Sequence, residues 1–185
     1  LENAAGMDGI LESNFEASKK MLKEAGYDGT PIVLLQTSDL GVLTNLAPVA
    51  KELLERGGFK VDMQSMDWNT QVSRRSKKDG WNISLTASAV VLLLDPVNNH
   101  YAEASGDRAQ FGWPLDDEIE KLRMAFIAES APKKQFALAE QVQKRVMDVG
   151  VTIPLGQYLE PMARRRNVSG NIEAPITVFW NVEKM

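Results

Sequence analysis

The run Ile32–Thr37 constrains the fold of this chain more than any other feature. It reads Ile-Val-Leu-Leu-Gln-Thr, with four apolar residues in succession. Half-exposed strands alternate apolar and polar residues, whereas strands covered on both faces read as unbroken apolar runs. Strands of the second kind occur in parallel sheets that carry helices on both faces. The run therefore predicts a parallel sheet and an α/β fold.

The residues that follow this strand show the alternating patterns of a βαβ chain. Between Leu46 and Leu54 the apolar residues recur at helical spacing, and Asn45 is expected to cap this helix so that Pro48 falls in its first turn. Strands and helices that alternate in this way form a parallel sheet with right-handed crossovers. The next predicted elements are a strand around Val61, a helix over 70–78 and a strand over 81–85.

Three further helices are predicted outside this region. The segment Ser13–Glu16 matches a capping box that opens a short helix, and Gly26 is placed to end it. After a long polar loop, one helix opens at the carboxylates of residues 116–118 and another opens at Pro132. Two more strands are expected, at Val151–Leu155 and Ile176–Trp180.

Length and composition restrict the class of protein. A chain of 185 residues with 44% hydrophobic content is long enough for one sizeable core, and a single domain is the simplest expectation. The net charge of -4 and the shortness of the basic clusters disfavour nucleic-acid binding. The chain has no cysteine, which excludes disulfides and thiolate sites. Its longest apolar run, Ala87–Leu94, is far shorter than the roughly 20 residues of a membrane span.

The sequence contains few residues in arrangements typical of catalysis. His100 is the single histidine, and neither a Gly-x-Ser-x-Gly elbow nor a His-x-x-x-His pair accompanies it. The carboxylates of residues 116–118 stand at a helix start, where they complement the helix dipole. No catalytic residue, metal ligand or cofactor is assigned. Two alternatives stay open: a small α/β hydrolase-type enzyme using His100 with Asp95 or Asp107, and a surface protein-interaction domain.

Aromatic residues provide the strongest indication of a binding site. Trp68 follows the second predicted strand, at the carboxyl edge of the sheet, which is where open α/β sheets receive ligands. Arg75 lies seven residues later and therefore on nearly the same face of a helix. It is either a surface arginine or a clamp for a carboxylate. Trp113 is expected to close a domain edge or to form the wall of a pocket, and Trp81 to belong to the core.

Six segments of the chain, in order, resemble the extracytoplasmic solute-binding proteins of the peptide/nickel ABC transporter family (family 5). The similarity extends over nearly the whole chain, and its specificity lies in the order and spacing of the segments. The matching segments are Phe15–Tyr27, Leu53–Phe59, Asp67–Trp68, Gly80–Asn82, Asp95–Pro96 and Ile153–Leu155.

This resemblance implies the organisation of a longer, two-lobed protein. Residues 1–185 would form a single α/β lobe of the periplasmic-binding-protein type, a mostly parallel sheet flanked by helices, and the C-terminal of the two lobes. Residues 1–12 and about 168–185 would lie near the connection between the lobes. The implied partners are a small, possibly peptide-like solute, the N-terminal lobe and the permease subunits of a bacterial ABC importer. The implied location is periplasmic or at the cell surface, and the chain would not be an enzyme.

The resemblance also implies which residues contact the solute. Trp68 and Arg75 match cleft residues of the family. Many members carry an aspartate before the Asp-Pro step that pairs with a peptide's amino group, but Val90–Leu94 contains none. Because a buried ammonium without a carboxylate partner costs several kcal/mol, peptides held by a free amino terminus are disfavoured. The remaining candidate contacts are Thr86, Ser88, Asp95, Asn98, His100 and Trp113.

Overall fold

The computed structural model describes residues 4–9, 12–159, 161–174 and 176–185, and it divides them into two compact units. The sheet unit comprises Met7–Ala87 and Ser105–Leu115. The helical unit comprises Ser88–Ala104 and Asp116–Met185, together with the described residues before Met7. The single lobe over residues 1–185 stays a prediction, and residues 1–3, 10, 11 and 175 of its expected interlobe connection lie outside the described residues.

The sheet unit is built on three parallel strands. These are β1 (Ile32–Thr37), β2 (Val61–Met66) and β3 (Ile83–Ser84), in the spatial order β2-β1-β3. β1 pairs with β2 over six residue pairs, from Ile32 opposite Val61 to Thr37 opposite Met66. It pairs with β3 over two. The predicted α/β fold with a parallel sheet is confirmed, and the unbroken apolar run is its central strand.

Helices cover both faces of this sheet. They are α1 (Phe15–Glu24), α2 (Gly41–Arg56) and α3 (Trp68–Arg75). The chain moves one way across the sheet from β1 to β2 and the other way from β2 to β3, so right-handed crossovers place α2 and α3 on opposite faces. Leu34 and Leu35 point to opposite faces of β1, and neither is exposed. This central strand is therefore buried on both sides.

The start of α2 differs from the sequence prediction. The helix begins at Gly41, not after Asn45, so Pro48 lies inside it and not in its first turn. Proline has no N–H to donate to the carbonyl four residues earlier, which is that of Thr44. The Gln36 amide of β1 donates to this Thr44 carbonyl instead, at 3.0 Å. A side chain from the neighbouring strand thus replaces the missing helical hydrogen bond.

The first helix begins one residue later than the capping box predicts. Its N-cap is Asn14, whose side chain accepts a hydrogen bond from the Ala17 N–H at 2.9 Å. Glu16 pairs with Lys19 at 2.8 Å and does not return to Ser13. Asparagine and serine are both good caps, so the two adjacent residues compete and the pattern alone does not decide between them.

The third helix and third strand are also displaced from their predicted bounds. α3 begins at Trp68, not Thr70, because Asp67 caps it by accepting hydrogen bonds from the Thr70 N–H at 3.0 Å and the Thr70 hydroxyl at 2.6 Å. β3 is shorter than the predicted 81–85. Its flank is held by Asn82, whose side chain accepts from the Val33 N–H at 2.8 Å.

The helical unit contains the two long helices that the sequence predicts, α4 (Asp117–Ala128) and α5 (Pro132–Val149), packed against each other. Its core combines residues of these helices with two alanines of the preceding loop. Short 3-10 turns occupy Val90–Leu93 and His100–Ala102. None of the helices in the described part of the chain has both the length and the apolar character needed to cross a membrane. The buried core residues are Ala102, Ala104, Ile119, Val142 and Val146.

The strands expected at Val151–Leu155 and Ile176–Trp180 are wrong. The only strands of the described helical unit are a short antiparallel pair, β4 (Val168–Ser169) and β5 (Glu183–Lys184). A strand pattern needs a neighbouring strand to complete its hydrogen bonds. In the described residues the two segments pair with no strand, and Ile153 is 76% exposed.

Candidate functional site

The carboxyl ends of the three parallel strands form the candidate site. The chain leaves β1 towards Asp39, leaves β2 directly into Trp68 and leaves β3 towards Thr86. A doubly wound sheet of order 2-1-3 has its switch point between β1 and β3, and ligands bind outside the carboxyl ends of the strands there. Trp68 therefore occupies the edge at which the sequence analysis expects it.

Asp39 holds Trp68 in place at this edge. Its carboxylate Oδ1 accepts hydrogen bonds from the Trp68 backbone N–H at 2.9 Å and from the buried Thr37 hydroxyl at 2.6 Å. Ser38 donates its N–H to the Met66 carbonyl at 2.8 Å, which joins the same two loops. Asp39 was not among the predicted site residues, although an aspartate close after a buried strand was an available signal.

Two further polar residues fix α3, which begins at Trp68. The Thr70 hydroxyl and then the Thr70 N–H lower the pKa of Asp67, so this helix-capping carboxylate stays ionised. Gln71 is fully buried, and its amide donates to the Ser84 hydroxyl at 3.3 Å and the Leu85 carbonyl at 3.2 Å. Gln71 thus joins α3 to the end of β3. A polar residue on the inner face of a short helix was the available signal for it.

Arg75 lies against two aromatic rings. Its guanidinium carbon is 4.9 Å from the centroid of the Trp68 ring and 5.0 Å from that of the Phe111 ring. The contact with Trp68 follows from their seven-residue spacing on one helix face. Phe111 comes from the separate segment Ser105–Leu115 and was not among the predicted site residues. Cation–π contacts of this kind contribute about 0.5–1 kcal/mol each at exposed positions.

Two further aromatic rings, those of Trp113 and Trp81, lie next to Phe111 in succession. The Trp113 centroid is 6.3 Å from the centroids of both Phe111 and Trp81, and the Lys78 ammonium lies 5.3 Å from it. Lys78 also forms an ion pair with Asp107, and this hydrogen bond lowers the Asp107 pKa. We call this set the aromatic–cation cluster; its members are Trp68, Arg75, Lys78, Trp81, Phe111 and Trp113.

Trp81 does not belong to the core, contrary to the sequence expectation. It is partly buried, and its indole N–H donates to the Lys77 carbonyl at 2.7 Å. Its ring instead extends the cluster from α3 towards Trp113. Trp113 itself is partly buried and adopts φ 47°, a left-handed conformation that is uncommon for a tryptophan.

The remaining predicted site residues lie in two places. Thr86 is exposed in the sheet unit, just beyond β3. Ser88 belongs to the helical unit, where its hydroxyl is 2.8 Å from the Tyr101 hydroxyl. Asp95 accepts from the Val97 and Asn98 N–H groups at 2.8 and 2.9 Å. Burial raises the pKa of Asp95, but these bonds outweigh it and hold the pKa below its ordinary value.

His100 has the surroundings of a packed side chain. Its ring centroid is 4.1 Å from that of Tyr101, and no hydrogen bond joins it to a carboxylate in the described ranges. Asp95 is occupied by its own loop, including the Asn98 side chain at 2.5 Å. Over the described residues, no three His, Asp or Glu side chains are grouped to hold a metal ion. The hydrolase alternative built on His100 has no support in this arrangement.

No protein-family model matches the chain. Over 174 residues, or 91% of its length, the chain is 33% identical to a probable peptide ABC transporter periplasmic-binding protein of Sinorhizobium fredii. The chain spans 33% of the length of that relative.

Two solved structures share the fold. The pheromone receptor PrgZ matches 95% of the chain and 35% of its own length, with a TM-score of 0.68 and 16% identity. The ABC transporter substrate-binding protein CtaP of Listeria monocytogenes matches 75% of the chain and 29% of its own length, with a TM-score of 0.65 and 16% identity. The periplasmic-binding-protein-like fold and the resemblance inferred from the sequence are confirmed.

Proposed function

We propose that this chain is a ligand-binding lobe of a solute-binding protein of the peptide/nickel ABC transporter family. The observation that carries the proposal is its 33% identity, over 91% of its residues, to a periplasmic-binding protein of a peptide ABC transporter. Trp68, the first member of the aromatic–cation cluster, supplies an aromatic surface for a solute at the carboxyl edge of the sheet, where α/β folds bind ligands. The protein captures a small solute outside the cytoplasm, in the periplasm or at the cell surface.

The chain works as part of a longer polypeptide. It spans about a third of its relative, and we propose that residues 1–185 are the single C-terminal lobe while the remaining chain contributes an N-terminal lobe. A solute that contacts both lobes stabilises the closed state, because those contacts exist only when the lobes have closed. The closed protein delivers the solute to permease subunits, and other subunits hydrolyse ATP. The lobe itself is not an enzyme and needs no cofactor.

The proposed solute contacts fall into two groups. Trp68, Arg75 and Trp113 form the firmer group, since they share one cluster in the sheet unit. Polar contacts from Thr86, Ser88 and His100 form the second. Asp95 and Asn98 were also predicted as contacts, and their bonds to each other and to loop N–H groups favour a role in shaping the loop.

We propose that the solute has an apolar face and does not depend on a protein carboxylate to pair with a free amino terminus. Val90–Leu93 forms a 3-10 turn, and Val90 and Leu92 are 57% and 52% exposed. Exposed apolar side chains replace the aspartate that would neutralise a peptide's ammonium group. An ordinary peptide held by its free amino terminus would lose several kcal/mol without that partner.

The test is a ligand-induced thermal shift of the full-length protein against peptides, N-blocked peptides, opines and sugars. A solute at about 100 times its Kd stabilises the protein by about 2.7 kcal/mol, which is readily detected. Trp68→Ala should weaken the affinity about tenfold or more, since a stacked aromatic contact and the Arg75 position are lost together. Trp180→Ala, at a 75% exposed tryptophan of the helical unit, is the matched control. The proposal fails if no solute of these classes shifts the full-length protein.

A further inference from the structure

We propose that Gln71 is a positioning residue that ends the pairing of β1 with β3 and thereby keeps a crevice open between the carboxyl ends of these two strands. This inference rests on the proposed function, because the crevice matters only if a solute binds at that edge. Gln71 is the buried residue of α3 and was not among the site residues that the sequence indicated. Its role follows from the two groups to which its amide donates.

The hydrogen bonds between β1 and β3 follow a fixed alternation. In a parallel pair, the N–H and C=O groups of every second residue of a strand point towards the same neighbouring strand. Val33 faces β3, because its N–H donates to the Asn82 side chain and its carbonyl accepts from the Asn82 N–H. Leu35 and Thr37 lie two and four residues further along β1. Their backbone groups therefore point towards β3 as well.

The pairing of the two strands ends before β1 does. Its last pair is Leu35 opposite Ser84, although β1 continues to Thr37. One further step in the same register would join the Thr37 N–H to the Leu85 carbonyl. The chain after Ser84 thus leaves β1 two residues before the end of β1. Strand ends that separate at the switch point of a doubly wound sheet border a ligand crevice.

Gln71 holds the carbonyl that this further step requires. Its side-chain amide donates to the Leu85 carbonyl at 3.2 Å and to the Ser84 hydroxyl at 3.3 Å, which are groups at the end of β3. A second side chain acts in the same way on β1, where the Thr37 carbonyl accepts from the Thr44 hydroxyl at 2.7 Å. Side chains of α3 and α2 therefore occupy acceptors on both strands at the point where the pairing would continue.

Stability alone does not explain a glutamine at this position. Gln71 is fully buried, and its Oε1 atom accepts no hydrogen bond within the part of the chain that the structure describes. A buried acceptor without a donor costs free energy, and a methionine of similar length would avoid that cost. The two bonds that the Gln71 amide donates distinguish it from an apolar residue, and both act on the end of β3.

The consequence concerns the shape of the binding edge. The crevice lies between β1 and β3, beside the helix that begins at Trp68. With an apolar residue at position 71, the Leu85 carbonyl would be available to the Thr37 N–H, and the two strands would pair for one more step. The space between their ends would then be narrower, and a solute would have to break the added hydrogen bond before it could bind.

The first test is amide hydrogen exchange of the full-length protein, followed by mass spectrometry at single-residue resolution. The Thr37 N–H should exchange at least about tenfold faster than the Leu35 N–H, because Leu35 is paired with β3 and Thr37 is not. This measurement requires neither a variant nor a solute. Equal protection of the two amides would overturn the inference, since the pairing would then extend past Leu35.

Variants test whether Gln71 is the cause. In Gln71→Met and Gln71→Leu, the Thr37 N–H should exchange about tenfold more slowly than in the unmodified protein, because it gains the Leu85 carbonyl as an acceptor. A merely structural role would give the opposite sign, since a destabilised region exchanges faster. Gln64→Met is the matched control in the opposite edge strand β2, where Gln64 donates to Asp62 at 2.6 Å. This control should not slow the exchange of Thr37.

Solute binding is measured separately, with the same panel of peptides, N-blocked peptides, opines and sugars. Each solute that shifts the unmodified protein should bind Gln71→Met about tenfold more weakly, as expected if about a tenth of the variant molecules have an open crevice. Unchanged affinities together with slower Thr37 exchange would overturn the inference, because the crevice would then have no role in binding. Exchange of Thr37 that is unchanged or faster in both Gln71 variants would also overturn it.

The two sets of measurements separate this inference from the proposed function. A protein that binds solutes of the panel without the exchange differences keeps its proposed function and loses the role of Gln71. A protein that shows the exchange differences and binds no solute loses its proposed function, and with it the binding role of the crevice.

Discussion

The Asp39 carboxylate accepts a hydrogen bond from the Trp68 backbone N–H at 2.9 Å. The same oxygen accepts from the Thr37 hydroxyl at 2.6 Å, so one atom joins the ends of β1 and β2 to the first residue of α3. The ring of that residue lies beside Arg75. The position of the proposed binding surface therefore depends on a carboxylate that does not itself belong to the aromatic–cation cluster.

Asp39→Ala should destabilise the protein and weaken solute binding. The substitution leaves the Trp68 N–H and the buried Thr37 hydroxyl without their acceptor, at a cost of about 1–3 kcal/mol. Asp39→Asn keeps an acceptor oxygen and should lose less. Urea unfolding and the solute affinity of the full-length protein are the measurements. Asp79→Ala, at another exposed aspartate of the sheet unit, is the control, and an equal loss from both alanine variants would contradict the role of Asp39.

Gln36 and Pro48 should be energetically coupled through the Thr44 carbonyl. In the natural protein, Gln36→Ala removes the donor at 3.0 Å and should cost about 1 kcal/mol. In a Pro48→Ala background the helix supplies its own N–H, so the same change should cost less. A double-mutant cycle by urea unfolding measures the difference, with an expected coupling of about 0.5–1 kcal/mol. Additive effects would show that Gln36 does not compensate for the proline.

Acid should weaken the link between α4 and α5 at Asp116. Its carboxylate accepts from Arg145 at 2.7 Å and from the Ile119 N–H at 2.9 Å, and these bonds, that of Arg145 first, lower the Asp116 pKa. A group whose pKa is lower in the folded state contributes its full stabilisation above its unfolded pKa, about 3.9 for aspartate. That contribution disappears as the pH falls through the lowered folded value.

The variant Asp116→Asn isolates this charge, because asparagine still caps α4. At neutral pH the natural protein should be more stable than the variant, and the difference should shrink as the solution is acidified below about pH 4. Urea midpoints measured for both proteins across this range test the expectation. A difference that stays constant with pH would mean that the Asp116 charge adds nothing to stability.

His100→Ala should weaken solute affinity by about tenfold at most, as expected for the loss of one polar contact. The His100 ring packs beside Tyr101 at 4.1 Å and has no carboxylate partner in the part of the chain that the structure describes. A hydrolase that used this histidine would lose about 10³-fold or more in turnover. Thermal shifts with the best solute give the affinity, and hydrolysis of that solute by the natural protein is assayed beside it. Hydrolysis that disappears in the variant would restore the enzyme hypothesis.

Local patterns were sufficient to predict the elements that the chain forms from its own neighbours. The unbroken run of β1, the alternation around Val61 and the apolar spacing of α5 all reflect burial that repeats at a fixed period. The nearness of Trp68 and Arg75 follows from the geometry of one helix face in the same way. Predicting these features requires no information about contacts between residues that are distant in the sequence.

Contacts between distant segments could not be predicted from such patterns. Phe111 reaches Arg75 only because the loop Ser105–Leu115 folds against α3, and no spacing rule connects the two. The Gln36 bond that accommodates Pro48 likewise joins a strand to a helix. The segment Val151–Leu155 has a strand pattern but pairs with no strand in the described ranges, so its pattern was misleading.

The unequal pairing of β1 has a consequence for the motions of the sheet. Six residue pairs join β1 to β2, whereas only two join β1 to β3. Asn82 adds two hydrogen bonds to Val33 of β1, one from its side chain at 2.8 Å and one from its backbone at 3.0 Å. Opening at β3 breaks few hydrogen bonds and requires far less free energy than global unfolding. The β1–β3 boundary is thus the weakly paired part of the sheet, stabilised by Asn82, and it ends at the carboxyl edge that we propose as the binding site.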